Sequence, residues 1–169
     1  MKETRILAGL LVFLLILAVL PAAGLAGAMG HWERDDIGWR YVRIDGSVPR
    51  GGWLEVDDTW YHADGDGYVQ TGWLFLDGSW YYFRETGAMA TGWNNIGGSW
   101  YYMDEDGVMQ TGWLDLDGAR YYLDEDGVMV TDWLEQDGVW YFFKPSGAMA
   151  RGEDLYGYLF DNDGHWIEN

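Results

Sequence analysis

Residues 71–90 read TGWLFLDGSWYYFRETGAMA, and variants of this stretch recur along most of the chain. A first Trp column has a constant spacing of twenty residues and consists of Trp53, Trp73, Trp93, Trp113 and Trp133. A second column follows seven residues later and consists of Trp60, Trp80, Trp100, Arg120 and Trp140. Tyr follows the second column in every one of these units. A fixed period of this length indicates an array of stacked structural repeats.

Each unit contains the signal of a β-hairpin. Asp77-Gly78 separates two β-prone runs, and Gly accepts the positive φ that a type I′ turn requires. A two-residue turn fixes the cross-strand pairs, so that Leu76 should face Ser79 and Trp73 should face Tyr82. The sequence therefore predicts an all-β chain, a β-solenoid of stacked hairpins of about 20 residues.

The predicted register sorts the side chains of a hairpin onto two faces. One face carries mostly apolar residues, among them Leu74, Leu76, Tyr81 and Phe83, and has the composition of a core. The other face carries both Trp columns, beside residues that are mainly polar or acidic. It also carries the second Tyr column, which consists of His62, Tyr82, Tyr102, Tyr122 and Phe142. Large rings beside carboxylates are suited to a cation with apolar substituents, although packing between repeats is an equally good interpretation from ring chemistry alone.

The N-terminus is predicted to be a secretory signal. Lys2 and Arg5 precede an apolar run over 6–20, and Ala26-Gly27-Ala28 offers a small-residue cleavage site. An uncleaved membrane anchor is the alternative interpretation, because the uncharged run is long enough to span a bilayer. Both interpretations place the repeats outside the cytoplasm.

Composition excludes several classes of function. The chain has no Cys, so it has neither disulfides nor thiolate metal sites. A net charge of −18 disfavours nucleic acid as a partner. The three His residues are scattered, and acidic runs such as 64–67 and 161–164 read as turns rather than calcium loops. We therefore expect no metal, no cofactor and no catalytic residue, because no stretch outside the repeats could build an active site.

The units resemble the choline-binding, or cell-wall-binding, repeats of Gram-positive surface proteins. The resemblance spans nearly all of 31–169 and is specific, because aromatic residues, two glycines and a Met recur in phase. The stretches that carry it are TGWLFLDGSWYYFRETGAM at 71–89, TGWNNIGGSWYYMDEDGVM at 91–109 and TGWLDLDGARYYLDEDGVM at 111–129. The resemblance implies a left-handed solenoid of hairpins with choline held between neighbouring units.

The resemblance also implies which residues form the cages: two Trp of one unit, an aromatic residue of the next unit and a Met. Whether the next unit contributes its second Tyr or its second-column Trp stays open. Arg120 weakens the unit that starts at Trp113, since a guanidinium repels an ammonium, and about three sites should function. The candidates are Trp53 and Trp60 with Tyr82; Trp73 and Trp80 with Met89 and Tyr102; Trp93 and Trp100 with Met109 and Tyr122; and the weaker pair Trp133 and Trp140.

We divide the chain into a signal peptide at 1–28, a divergent first repeat at 29–52, five cell-wall-binding repeats at 53–151 and a truncated capping repeat at 152–169. The expected function is that of a secreted, non-catalytic module at the cell wall or surface that recognises choline on wall teichoic or lipoteichoic acids. Membrane contact is expected only through an uncleaved N-terminal segment. A glucan- or wall-glycan-binding module and an adhesive surface rod are the alternatives.

Overall fold

The computed structural model describes residues 30–167, and all regular structure in that range is β. The predicted N-terminal signal helix lies outside the described residues. The strands are β1 (Gly30–Arg34), β2 (Trp39–Arg43), β3 (Gly52–Val56), β4 (Thr59–Ala63), β5 (Gly72–Leu76), β6 (Ser79–Phe83), β7 (Gly92–Ile96), β8 (Ser99–Met103), β9 (Gly112–Leu116), β10 (Ala119–Leu123), β11 (Asp132–Gln136), β12 (Val139–Phe143), β13 (Asp154–Leu155), β14 (Tyr158–Phe160) and β15 (Trp166–Ile167).

The first twelve strands form successive antiparallel hairpins, and the predicted register is confirmed. In the β5–β6 hairpin Leu76 pairs with Ser79 and Trp73 pairs with Tyr82. Both central turn residues have positive φ, 51° at Asp77 and 89° at Gly78, as a type I′ turn requires. These paired positive angles match the right-handed twist of the flanking strands, which explains why the same short turn recurs along the array.

A linker segment after each hairpin joins that hairpin to the one before it. Met89 forms an isolated bridge to Phe83, and the Ala90 amide donates to the Tyr82 carbonyl at 2.8 Å within the same unit. On its other side the Met89 amide donates to the Trp60 carbonyl of the preceding hairpin, also at 2.8 Å. Consecutive units are therefore connected by backbone hydrogen bonds as well as by side-chain packing.

The core is a narrow line of side chains rather than a broad layer. The last residue of each second strand, together with its neighbours across the linker, supplies the buried positions. The fully inaccessible large side chains are Phe83, Met103, Leu123 and Phe143. This column belongs to the face that the sequence predicted as core. On the same face Leu54 and Val56 are buried in a cluster with Tyr41 near the first units, whereas Leu74 and Tyr81 in the next unit are only partly buried.

The last unit differs from the others in strand number and hairpin length. Strand β14 pairs with β13 on one side and with β15 on the other. The turn residues Tyr156 and Gly157 have φ of 57° and 86°, and Tyr158 follows directly, so the position of the second-column Trp is missing. Trp166 pairs with Phe160 as Met149 pairs with Phe143 in the unit before, so a large ring takes the position of the Met.

No helix among residues 30–167 has the length and hydropathy needed to cross a bilayer. The structure thus confirms repeated antiparallel hairpins, and their assembly into a solenoid stays a prediction.

Candidate functional site

The first Trp column packs between units. The Trp73 ring lies 5.2 Å from Tyr82 of its own hairpin and 4.9 Å from Tyr101 of the next, measured between ring centroids. Edge-to-face aromatic pairs at such distances stabilise packing by about 0.5–1.5 kcal/mol each. Equivalent contacts at 4.9–5.1 Å join Trp53 to Tyr81, Trp93 to Tyr121, Trp113 to Tyr141 and Trp133 to Tyr158.

The contact between Trp73 and Tyr101 was not predicted from the sequence. Alternation within one hairpin places the first Trp column and the first Tyr column on opposite faces. The contact shows that one face of a hairpin packs against the opposite face of the next hairpin. Periodicity within a strand does not predict how two hairpins pack. The available signal was that this column is Tyr in all five full units, from Tyr61 to Tyr141.

The second Trp column borders a cleft that crosses three units. The cleft has a volume of about 570 Å³, within the usual range of small-molecule sites. Trp60 of one hairpin, Met89 of the following linker and Tyr102 of a later hairpin line it. The Trp60 side chain is 42% exposed, so its ring is accessible to a ligand.

Charged side chains surround this aromatic cleft. Asp58, Asp104 and Glu105 line it together with one guanidinium, that of Arg84. Asp104 is held by its own turn: its carboxylate accepts from the Asp106 and Val108 amides at 3.0 and 2.9 Å and from the Gln110 amide side chain at 2.8 Å. The acidic majority favours a cationic group in the cleft.

The structure groups the predicted cage residues differently from the sequence. We expected Met89 and Tyr102 to join Trp73 and Trp80, but the cleft that they line contains Trp60, from one unit earlier. The cause is the hydrogen bond from the Met89 amide to the Trp60 carbonyl, because it places each Met beside the preceding hairpin.

The other predicted cage residues contact partners in their own hairpin or in a neighbouring one. Three of the predicted Trp pairs meet within their hairpins at 6.2 Å, namely Trp53 with Trp60, Trp73 with Trp80 and Trp133 with Trp140. Tyr82, predicted to join Trp53 and Trp60, instead contacts Trp73 of its own hairpin. Trp93 packs on Tyr102 and Tyr121. The Met109 amide donates to the carbonyl of Trp80 rather than of Trp100.

A glycine fixes each cleft Met. A Cβ placed on Gly107 would overlap the Sδ and the thioether carbons of Met89, and Gly107 has a φ of 79°. The absence of a side chain at this position therefore lets the methionine lie across the next turn. Met109 lies against Gly127 and Met129 against Gly147 in the same way.

The twenty-residue period defines the equivalents of the observed cleft. The Met109 amide donates to the Trp80 carbonyl and the Met129 amide to the Trp100 carbonyl, both at 2.8 Å as for Met89. The second Tyr column supplies Tyr122 and Phe142 at the positions equivalent to Tyr102. Three sets thus contain a Trp, a Met and a second aromatic residue: Trp60, Met89 and Tyr102; Trp80, Met109 and Tyr122; and Trp100, Met129 and Phe142.

Arg120 occupies the second-column position of the next unit. Its guanidinium lies 5.2 Å from the centre of the Trp113 ring and donates to both carboxylate oxygens of Asp115, at 2.8 and 3.0 Å. The hydrogen bond from Arg120 lowers the pKa of Asp115 below its ordinary value. A cation of the protein itself therefore lies on this Trp, and its charge is neutralised by the neighbouring carboxylate.

The two ends of the array lack complete sets. Trp39 receives the amide hydrogen bond of Val69 instead of a Met, and the Arg34 guanidinium lies 5.6 Å from its ring centre. At the other end Trp166 replaces the Met, and its ring lies 5.9 Å from Trp133. Within the described part of the chain no group of three or more His, Asp or Glu residues is arranged to hold a metal ion.

Two family models match the chain. The model described as a choline-binding repeat matches residues 90–124 and 111–153, and the one described as a putative cell wall binding repeat matches residues 51–69 and 71–89. No curated protein sequence matches significantly. The chain belongs to the family of choline-binding, or cell-wall-binding, repeat proteins, as the sequence indicated.

Solved structures of pneumococcal proteins resemble the chain in fold and sequence. A crystal form of choline binding protein F from Streptococcus pneumoniae is 35% identical, with a TM-score of 0.74, and the match covers 81% of this chain and 47% of that one. The same protein in the presence of a peptidoglycan analogue gives a TM-score of 0.75 at 35% identity, covering 81% and 46%. The pneumococcal cell wall endolysin from phage Cp-1, complexed with choline, is 40% identical with a TM-score of 0.55, covering 72% and 37%. The chain spans less than half the length of these three.

Proposed function

We propose that this chain is a secreted, non-catalytic cell-wall-binding module whose aromatic clefts hold the trimethylammonium group of choline on wall teichoic or lipoteichoic acids. The observation that carries the proposal is the cleft in which Trp60, Met89 and Tyr102 converge beside carboxylates. A quaternary ammonium over an aromatic ring gains about 0.5–2 kcal/mol, and its methyl groups add apolar contact with the thioether.

In this proposal the two Trp columns have different roles. The first column holds units together through contacts such as Trp73 with Tyr101, and the second column, represented by Trp60, provides the ligand wall. In this account the hairpins assemble as a solenoid, with 53–151 as its body, 29–52 as its divergent first repeat and 152–169 as its cap. Residues 1–28 direct export, and the module acts at the cell surface.

Three complete clefts on one array favour a polymeric partner. A single cleft with one or two rings binds a small cation weakly, but linked sites facing a polymer that repeats the ligand gain avidity through effective concentration. A wall polymer that carries choline at intervals is therefore the partner that this arrangement suits best.

The test is retention on a resin that bears a tertiary amine mimicking choline. The full chain should bind the resin and be released by free choline. Because the chain carries a net charge of −18, simple anion exchange could also retain it, so NaCl at equal ionic strength is the control eluent. Release by both eluents at the same concentration would contradict the proposal.

A glycan-binding module is the second candidate. The half-exposed Trp rings of the second column, at 42–44%, present flat apolar surfaces of the kind that stack on sugars. The similar choline binding protein F was also solved in the presence of a peptidoglycan analogue. Pull-down by dextran or purified wall glycan that free choline does not reverse would favour this candidate.

A further inference from the structure

Arg84 distinguishes the first cleft from its two equivalents. It follows strand β6 at the position where the next two units carry Asp104 and Asp124. In the cleft of Trp60 and Tyr102 the middle unit therefore contributes a cation, whereas in the two later clefts it contributes a carboxylate. Other lining positions differ as well: Asp58 of the first cleft has Gly78 and Gly98 as its equivalents, and Asp104 has Asp124 in the second cleft and Lys144 in the third.

The Arg84 guanidinium is free to meet a ligand. Its side chain is exposed and lies 3.5 Å from the Asn94 amide oxygen, a long contact with a neutral group. Among the described residues it has no carboxylate within salt-bridge distance, unlike Arg120 with Asp115. Of the three acids that line the cleft, Asp58, Asp104 and Glu105, Asp104 accepts hydrogen bonds from its own turn and from Gln110.

We infer that the first cleft recognises a zwitterion, a trimethylammonium joined to a phosphodiester, in preference to free choline. This inference rests on the proposed function. Trp60, Met89 and Tyr102 receive the ammonium, and Arg84 at the cleft wall receives the phosphate, for which a guanidinium fork is well shaped. The second cleft has Asp104 at the position equivalent to Arg84 and keeps carboxylates at Asp124 and Glu125, so it repels the phosphate and favours the cation alone.

Methyl NMR of the full chain labelled with ¹³C at the methionine methyl groups reads each cleft separately. Met89 reports the first cleft and Met109 the second, and the probes are choline and glycerophosphocholine, which carries the zwitterion. At Met89 we expect glycerophosphocholine to saturate the chemical-shift change at a concentration about two- to fivefold lower than choline does. This ratio corresponds to the usual contribution of a partly exposed ion pair to binding. At Met109 choline should be preferred.

Arg84→Gln should abolish the preference at Met89 and leave Met109 unchanged. Arg50→Gln is the matched control, since Arg50 is an exposed arginine outside the cleft and its loss changes the net charge equally. A Met89 preference that survives Arg84→Gln, or that Arg50→Gln removes equally, would overturn the inference while the proposed function stands. No shift at either methionine with choline or glycerophosphocholine would overturn both.

The same zwitterion occurs on choline-bearing wall polymers and on phosphatidylcholine bilayers. Co-sedimentation of the full chain with purified choline-bearing wall polymer and with phosphatidylcholine vesicles separates the two sources. Polymer sedimentation that weakens with Arg84→Gln would support the inference. Sedimentation with vesicles alone would overturn its assignment to the wall.

Discussion

At the scale of single residues, one substitution in the second Trp column changes what a unit can do. Arg120 stacks on Trp113 and forms a two-point ion pair with Asp115, so the unit carries its own cation where its neighbours present an open Trp ring. Repulsion of ammonium, expected from the sequence, is therefore only part of the effect. The unit also lacks a second-column Trp ring, because Arg120 occupies that position, and we expect no choline bound there.

We expect the contribution of the Arg120–Asp115 pair to stability to depend on pH. Because the hydrogen bond from Arg120 lowers the pKa of Asp115 in the folded chain, the pair's contribution to stability is present above the unfolded pKa. That contribution is lost as the pH falls through the lower folded value. The titration of the Asp115 carboxyl carbon, followed by NMR, should have a lower midpoint in the wild type than in Arg120→Gln. Equal midpoints would contradict the ion pair.

At the scale of the element, the contact between each cleft Met and the glycine of the next unit connects stability to binding. Gly107→Ala places a methyl group against Met89 at a positive φ, so it should destabilise the chain and displace the thioether from the cleft. We expect the free energy of unfolding to fall by about 2–4 kcal/mol, because backbone strain and overpacking add. Denaturant unfolding measures the loss, and the Met89 methyl shift with choline measures the displacement.

Gly118→Ala is the matched control for this glycine. Gly118 has nearly the same φ, 80° against 79°, and a Cβ there meets nothing within 4 Å. The Gly118→Ala variant should lose only about 1–2 kcal/mol of unfolding free energy, from backbone strain, and its Met89 methyl shift with choline should be unchanged. If Gly107→Ala costs no more than Gly118→Ala, the methionine contact has no structural role.

The hairpin could be predicted from the sequence, and the relation between hairpins could not. The Asp77-Gly78 turn fixes the pairing of Trp73 with Tyr82 through local geometry alone. The placement of Met89 beside Trp60, and of Tyr101 on Trp73, depends on how one unit is rotated and displaced against the next. No residue in a single unit encodes that relation, so the sequence grouped Met89 and Tyr102 with Trp73 and Trp80, whereas the cleft they line contains Trp60 from one unit earlier.

At the scale of the whole molecule, stability depends on contacts between neighbouring units and on a closed end. The last unit surrounds Trp133 with Tyr158 at 4.9 Å, Phe160 at 5.8 Å and Trp166 at 5.9 Å. We therefore propose that the shortened hairpin, which lacks a second-column Trp, acts as a cap.

Trp166→Ala tests this capping role. Removing a half-buried ring that packs on Trp133 and Tyr158 should lower the free energy of unfolding by about 1–3 kcal/mol. Choline binding in the central clefts should be unchanged, because Trp60, Trp80 and Trp100 lie in earlier units. Thermal unfolding measures the first effect and a choline titration the second. An unchanged unfolding temperature would show that β15 does not stabilise the array.

The central claim is that each complete cleft, made of a second-column Trp, a Met and a second aromatic residue, binds one choline. Calorimetric titration of the full chain with choline should give about three equivalents, because three complete sets are present. Trp60→Ala should lower this number by one. Ile44→Ser, which removes an exposed apolar side chain from the first unit, outside all three sets, should leave it unchanged. A Trp60→Ala variant that binds as many cholines as the wild type would contradict the account.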